Sequence, residues 1–139
     1  MDQIINNLRH YYSSNDEVLF GYLFGSFAKN CSRLQSDIDV AIYLSNYRGE
    51  LAHEYKLSNI MALQEIFKRP VDFIIINGAP PLLKHEIFKT GILFLERDHS
   101  TLVEYKVKHY YQYLNQLFLI NRFFEKNKTI IQGGLSDGQ

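Results

Sequence analysis

Cysteine is almost absent from this chain: Cys31 stands alone among 139 residues. That excludes an intrachain disulfide and a multi-cysteine metal cluster, and it fits a reducing compartment, so the expected localisation is cytoplasmic. Charge of one sign is equally lacking. Lys plus Arg and Asp plus Glu both number 15, which gives no bulk electrostatic basis for direct nucleic-acid binding; any nucleotide must be held locally. No run approaches the roughly 18 to 20 apolar residues that a membrane span requires. The first dozen residues carry Asp2 and Arg9 and no long apolar segment, so a soluble, unprocessed chain is expected. The five histidines show no ligand spacing and are expected on surfaces or in local packing. Internal repeats and low-complexity linkers are absent too.

Apolar residues are plentiful. They make up 46% of the chain, with 20 Phe and Tyr among them, enough for one substantial core but few residues for two domains. A single domain over residues 1–126 with a flexible tail over 127–139 is expected. Ile4, Ile5, Leu8, Tyr11 and Tyr12 recur at helical spacing, predicting a helix from Asp2 to Tyr12. Val18 to Phe24 is a continuous run of β-formers, read as a buried strand, and Ile38 to Leu44 reads as a second strand pairing with it. Between them, Phe27 to Asn30 has room for about one helical turn. A wide apolar stripe over Gly49 to Lys68 predicts a core-facing helix ended by Pro70. Val71 to Ile76 reads as a third strand closed by an Asn77-Gly78 turn. Pro80-Pro81 opens a helix that Thr90-Gly91 ends, and Ile92 to Leu95 is a short fourth strand near an edge.

From Ser100 to about Lys126 neither proline nor glycine occurs. Val103, Val107, Tyr110, Leu114, Leu117 and Phe124 recur there, with Asn121 on the same seam, and predict one long helix. That seam is expected to face the core of its own domain. Tyr111 and Phe118 widen it, so the helix could also serve a partner.

The chemistry gathers between Val18 and Leu44. Gly25-Ser26 ends a strand where a helix could begin, the place where free backbone N–H groups receive phosphate. Ten residues further on, Asp37 and Asp39 flank Ile38 at the start of a strand, so both carboxylates point to one face. Asp72 interrupts the third apolar strand, and an ionised group there is costly unless paired or bound to metal. If the Val71 strand lies beside the Ile38 strand, Asp72 meets the other two. Three carboxylates then suit Mg²⁺, which prefers oxygen ligands, and nucleotide-dependent phosphoryl-type transfer. Bland alternatives stand beside these. Gly25-Ser26 alone can be a capped strand-to-helix turn, Asp37 and Asp39 alone a turn whose aspartates bond their own backbone, Asp72 a partner of Lys68 or Arg69, and Lys29 a solvated side chain.

Leu23-Phe24-Gly25-Ser26, followed after ten residues by Asp37-Ile38-Asp39 and then by a later strand aspartate, resembles the polymerase-β-type minimal nucleotidyltransferases (MNT). Similar size and the Val71-Asp72-Phe73-Ile74 stretch ahead of an Ile87 to Leu95 helix-strand unit resemble the MntA-type antitoxins of HEPN/MNT toxin–antitoxin modules. The resemblance implies an α/β (α+β) fold, with a small mixed four-stranded sheet flanked by helices. It also implies two Mg²⁺ ions held by Asp37, Asp39 and Asp72, phosphate contacts from Gly25, Ser26 and Lys29, and ATP as substrate. The implied reaction is protein adenylylation: AMP is transferred to a tyrosine of a cognate HEPN-domain ribonuclease, which silences it. Two departures stand out. Phe27 follows Gly25-Ser26 where many relatives carry arginine, and Lys29-Asn30 occupies the place of a basic-glycine pair, with Ser32 or Arg33 as further helpers. Competing functions are neutralisation by binding and occlusion alone, or modification of a small hydroxylated molecule.

Overall fold

The computed structural model of the chain describes residues 2–25 and 37–137, with side chains described as far as residue 128. Among the described residues eight helices and strands follow in order, besides two 3₁₀ turns. They are α1 (Asp2–Tyr12), β1 (Val18–Phe24), β2 (Ile38–Leu44), α2 (Ala52–Phe67), β3 (Val71–Ile75), α3 (Pro81–Thr90), β4 (Ile92–Glu96) and α4 (His99–Asp137), with the 3₁₀ turns at Gly49–Leu51 and Ile76–Gly78. The strands form one mixed sheet in the order β3-β2-β1-β4. β1 runs antiparallel to β2 and β4, whereas β2 and β3 are parallel and joined by the α2 crossover.

The central pair is buried on both faces, which is why β1 and β2 read as unbroken apolar runs rather than alternating ones. On one face Leu8 and Tyr12 of α1 and Leu63 of α2 pack on Leu23, Val40, Ile42 and Phe73. On the other, Ile87 of α3 and Leu102 of α4 cover Phe20, Tyr22, Phe24 and Ala41. Gly21 leaves room on β1 for the Phe94 ring, which a β carbon there would meet at 2.5 Å.

Polar side chains close the seams between elements. Tyr12 is fully buried, and its hydroxyl donates to Asn59 Oδ1 at 2.8 Å, while Asn59 Nδ2 donates to the Tyr55 carbonyl at 2.8 Å. Arg97 ties the start of β1 to the end of β4: Nε donates to the Val18 carbonyl at 2.9 Å, and Nη2 to the carbonyls of Tyr12 and Ser13. Asn77 extends the β2 edge by exchanging two 2.9 Å hydrogen bonds with the backbone of Leu44. α2 stops at Phe67, one residue before the expected end, because Lys68 turns left-handed with φ of 54°.

Two expectations about the last helix need correction. The seam of Val103, Val107, Tyr110, Leu114 and Phe124 faces away from the body, and these residues are exposed. The body is met instead by Leu102, Tyr105 and His109, with Tyr113 stacked on His85 at 3.6 Å between ring centroids. Spacing groups residues onto one stripe but does not say which stripe docks, and the docking stripe here is partly polar. α4 also continues to Asp137 rather than giving way to a tail after Lys126. No proline interrupts it, and Gly133 and Gly134 each cost about 1 kcal/mol without removing a backbone donor. His109, expected on a surface or in local packing, is buried beside Phe88 and Tyr113, and neither of its ring nitrogens has a hydrogen-bond partner among the described residues.

Candidate active site

Three strands bring the candidate residues to one end of the sheet. β1 delivers Gly25 just past its last residue, β2 begins with Asp37 and Asp39 around the fully buried Ile38, and β3 carries Asp72. Register does the rest. Asp39 lies opposite Phe24 on β1 and opposite Asp72 on β3. The start of β2 is held in place by the Ile38 N–H, which donates to the Pro70 carbonyl at 3.0 Å, beside β3.

Electrostatics register this convergence. Burial, then the neighbouring Asp72, then Asp37 push the Asp39 carboxyl up to about 6. Burial is the largest cause, and the like charges of Asp72 and Asp37 add to it. Asp39 is half-buried, whereas Asp37 and Asp72 are exposed, so the arrangement is a rim of two solvated carboxylates around a more enclosed third.

Gly25 sits directly against that third carboxylate. Its φ of +74° lies in the left-handed region, and a β carbon at this position would fall 2.0 Å from Asp39 Oδ2. Both the conformation and the close approach therefore demand glycine. Ser26 and Lys29, expected at the phosphates, lie outside the described residues, as do Phe27, Ser32 and Arg33.

The donor set suits a hard divalent cation: oxygen ligands, negative charge in excess, and repulsion that a cation relieves. Among the described residues, however, no three His, Cys, Asp or Glu side chains already stand as a closed metal-holding group. The fit rests on the Asp39 to Asp72 register and their electrostatic contact. A cavity of about 570 Å³ lined by Glu17, Leu44, Tyr47, Arg48 and Tyr55 lies at the far end of β2, away from the carboxylates.

Strand alternation places Asp39 on the face that carries Tyr22, Phe24 and Ala41, under α3 and α4. Lys106 of α4 lies over the rings of Tyr22 and Phe88, 5.8 and 5.7 Å from their centroids. This aromatic and cationic continuation of the site was not singled out in the sequence. Its one available signal is that Tyr22 shares strand parity with Phe24, next to Gly25.

Among the described residues, no helix is long and apolar enough to cross a membrane. Among solved structures, the chain resembles a toxin–antitoxin complex with AMP-PNP, at 19% identity and a TM-score of 0.68, covering 83% of this chain and 88% of that one. It also resembles the toxin–antitoxin MntA-HepT, at 18% identity and a TM-score of 0.66, covering 84% and 89%. A third likeness is to a tri-AMPylated Shewanella oneidensis HEPN toxin in complex with MNT antitoxin, at 19% identity and a TM-score of 0.65, again covering 84% and 89%. At such identities the likeness is one of fold. No match is found among curated proteins. The polymerase β nucleotidyltransferase family model matches residues 6–100, the whole stretch that builds the sheet and its carboxylates, and the chain belongs to that nucleotidyltransferase family.

Proposed function

We propose that this nucleotidyltransferase is the antitoxin of a HEPN/MNT pair and transfers AMP from ATP to a tyrosine of a cognate HEPN-domain toxin, silencing it. The observation that carries the proposal is the placement of Asp39 opposite Asp72, with Gly25 against its carboxylate. Family membership supports the reaction class. The fold likeness to complexes containing AMP-PNP and an AMPylated HEPN toxin supports nucleotide and partner.

In this reading Asp37, Asp39 and Asp72 would hold Mg²⁺, two ions being expected, and the metal would supply charge neutralisation for an in-line displacement. The chain's own groups do the positioning. Gly25 lets the backbone pass close to Asp39, so that its N–H groups and those of Ser26, with Lys29, receive the β- and γ-phosphates. Asp72, the more solvated partner, accepts the proton of the incoming tyrosine hydroxyl. The tyrosine oxygen bonds to the α-phosphorus as the bond to the bridging oxygen breaks, and pyrophosphate leaves.

Incubation of the protein with a HEPN-domain partner encoded beside it, Mg²⁺ and α-labelled ATP should place label on a partner tyrosine. No label on the partner, together with full neutralisation by an Asp37→Asn/Asp39→Asn variant, would replace the enzymatic reading with neutralisation by binding. Label on a small molecule in the absence of any partner protein would replace it with small-molecule modification.

A further inference from the structure

α4 has two apolar faces, and the body of the protein uses one. Leu102, Tyr105 and His109 meet the sheet and α3. Roughly 110° around the helix, at about 100° per residue, runs the second stripe of Val103, Val107, Tyr110, Leu114, Leu117, Asn121 and Phe124. The steps alternate four and three without a break, which is the a/d pattern of a heptad repeat over three heptads. A straight α-helix drifts by about 20° per heptad from such a pattern, so a seam this regular stays aligned only against another helix that supercoils with it.

The stripe is open. Val107 and Tyr110 are each 53% exposed, Leu114 43% and Phe124 64%, with Tyr111 at 70% and Phe118 at 60% on its flank. From Leu114 through Lys128 every side chain is exposed or half-buried. Aromatic side chains bury about 150 to 250 Å² each, and at these exposures the stripe and its flank offer on the order of 700 Å² per chain. That is close to the roughly 800 Å² per partner of a stable interface.

Asn121 points to what covers it. An amide in an otherwise apolar seam is left unpaired against any apolar groove, at a cost of about 1 to 3 kcal/mol. Against a second copy of the same helix, parallel and in register, Asn121 meets Asn121, and each amide can donate to the other's carbonyl. A single asparagine at an a position sets register and two-strandedness in this way. We propose that α4 pairs with α4 of a second copy of this chain, as a parallel, in-register coiled coil along the Val103 to Phe124 seam. With each body lying to one side of its helix, the two-fold axis along the coil puts the two bodies on opposite sides.

The pairing needs neither ATP nor a toxin and stands apart from the proposed reaction, so it is tested on the full chain alone. Sedimentation equilibrium at micromolar concentration should give twice the chain mass. Leu114→Glu should weaken association by about 100-fold or more, because each dimer would bury two carboxylates. Leu114 lies outside both core clusters, so its circular dichroism and thermal unfolding at concentrations where wild type is monomeric should be unchanged. With Cys31 replaced by serine, Asn121→Cys should form a disulfide-linked dimer under mild oxidation. A wild-type monomer, including one whose seam takes up a helix of different sequence, would overturn the proposal. So would a dimer that survives Leu114→Glu, or one in which Asn121→Cys fails to crosslink.

Discussion

Asp39→Asn should stabilise the metal-free protein at neutral pH while abolishing transfer. In the fold, burial, Asp72 and Asp37 raise this carboxyl from the ordinary 3.8 to about 6. A raised pKa means that the folded chain holds the proton more tightly than the unfolded one. The associated stability is fully present below pH 4, declines as pH climbs, and is gone above about 6. Converted at about 1.4 kcal/mol per pH unit, the full difference is about 3 kcal/mol. Solvent reaches the half-buried carboxylate, and screening reduces the figure to roughly 1 kcal/mol. In a domain of this size that is about 3 to 5 °C in Tm. Thermal unfolding followed by circular dichroism between pH 3.5 and 7.5, in chelator, should show the two proteins converging at the acid end and the variant melting higher above pH 6. Addition of Mg²⁺ should raise the wild-type Tm, by about 1.4 kcal/mol equivalent at tenfold Kd, and leave the variant nearly unmoved. Parallel pH profiles, or an equal response to Mg²⁺, would refute the idea that Asp39 is held as a strained member of a carboxylate group.

Gly25→Ala should cost about 1 to 3 kcal/mol and at least tenfold in transfer, because it sets a methyl against Asp39 Oδ2 in left-handed backbone; wild-type turnover of labelled ATP onto the partner would refute this. Tyr12→Phe strands the buried Asn59 carbonyl and should cost about 1 to 2 kcal/mol in urea unfolding without changing transfer. Phe73→Ala, at a fully buried site on β3 next to Asp72, should cost about 3 to 5 kcal/mol; a change under about 1 kcal/mol would mean that β3 is not packed as described.

Much of this was legible in the residues. α1, β1 and β2 begin and end where periodicity and the Ser13 to Asp16 and Gly25 breaks put them, and α3 opens at Pro81, where proline is best tolerated. The carboxylates were legible as three separate positions. Their convergence was legible as a condition and through the family resemblance, not from periodicity, because nothing in the Val71 strand alone states that it lies parallel to β2 with Asp72 opposite Asp39; that register goes with the α2 crossover and the Pro70 carbonyl at the start of β2. The contact of Gly25 with Asp39 depends on the β1 to β2 register in the same way. For α4, apolar spacing gave the stripe but not its orientation, since His109 and Tyr113, which face the body, carry weak apolar signals. The expected phosphate contacts at Ser26 and Lys29 lie outside the described residues.

Asp39 sits at the end of the best-covered part of the sheet. β1 and β2 are the two central strands, covered on both faces and joined along most of their length. Asp39 lies within this central pair, whereas Asp72 stands on the edge strand β3 and Asp37 just ahead of β2. Burial and like charge at Asp39 are held there, and the folded chain carries a stability cost that removing this carboxylate should relieve. Gly25 completes the arrangement, since any side chain there would collide with the Asp39 carboxylate. Core and site are thus separable by substitution: weakening Phe73 or Tyr12 should lower stability alone, whereas relaxing Asp39 should raise stability and remove the chemistry.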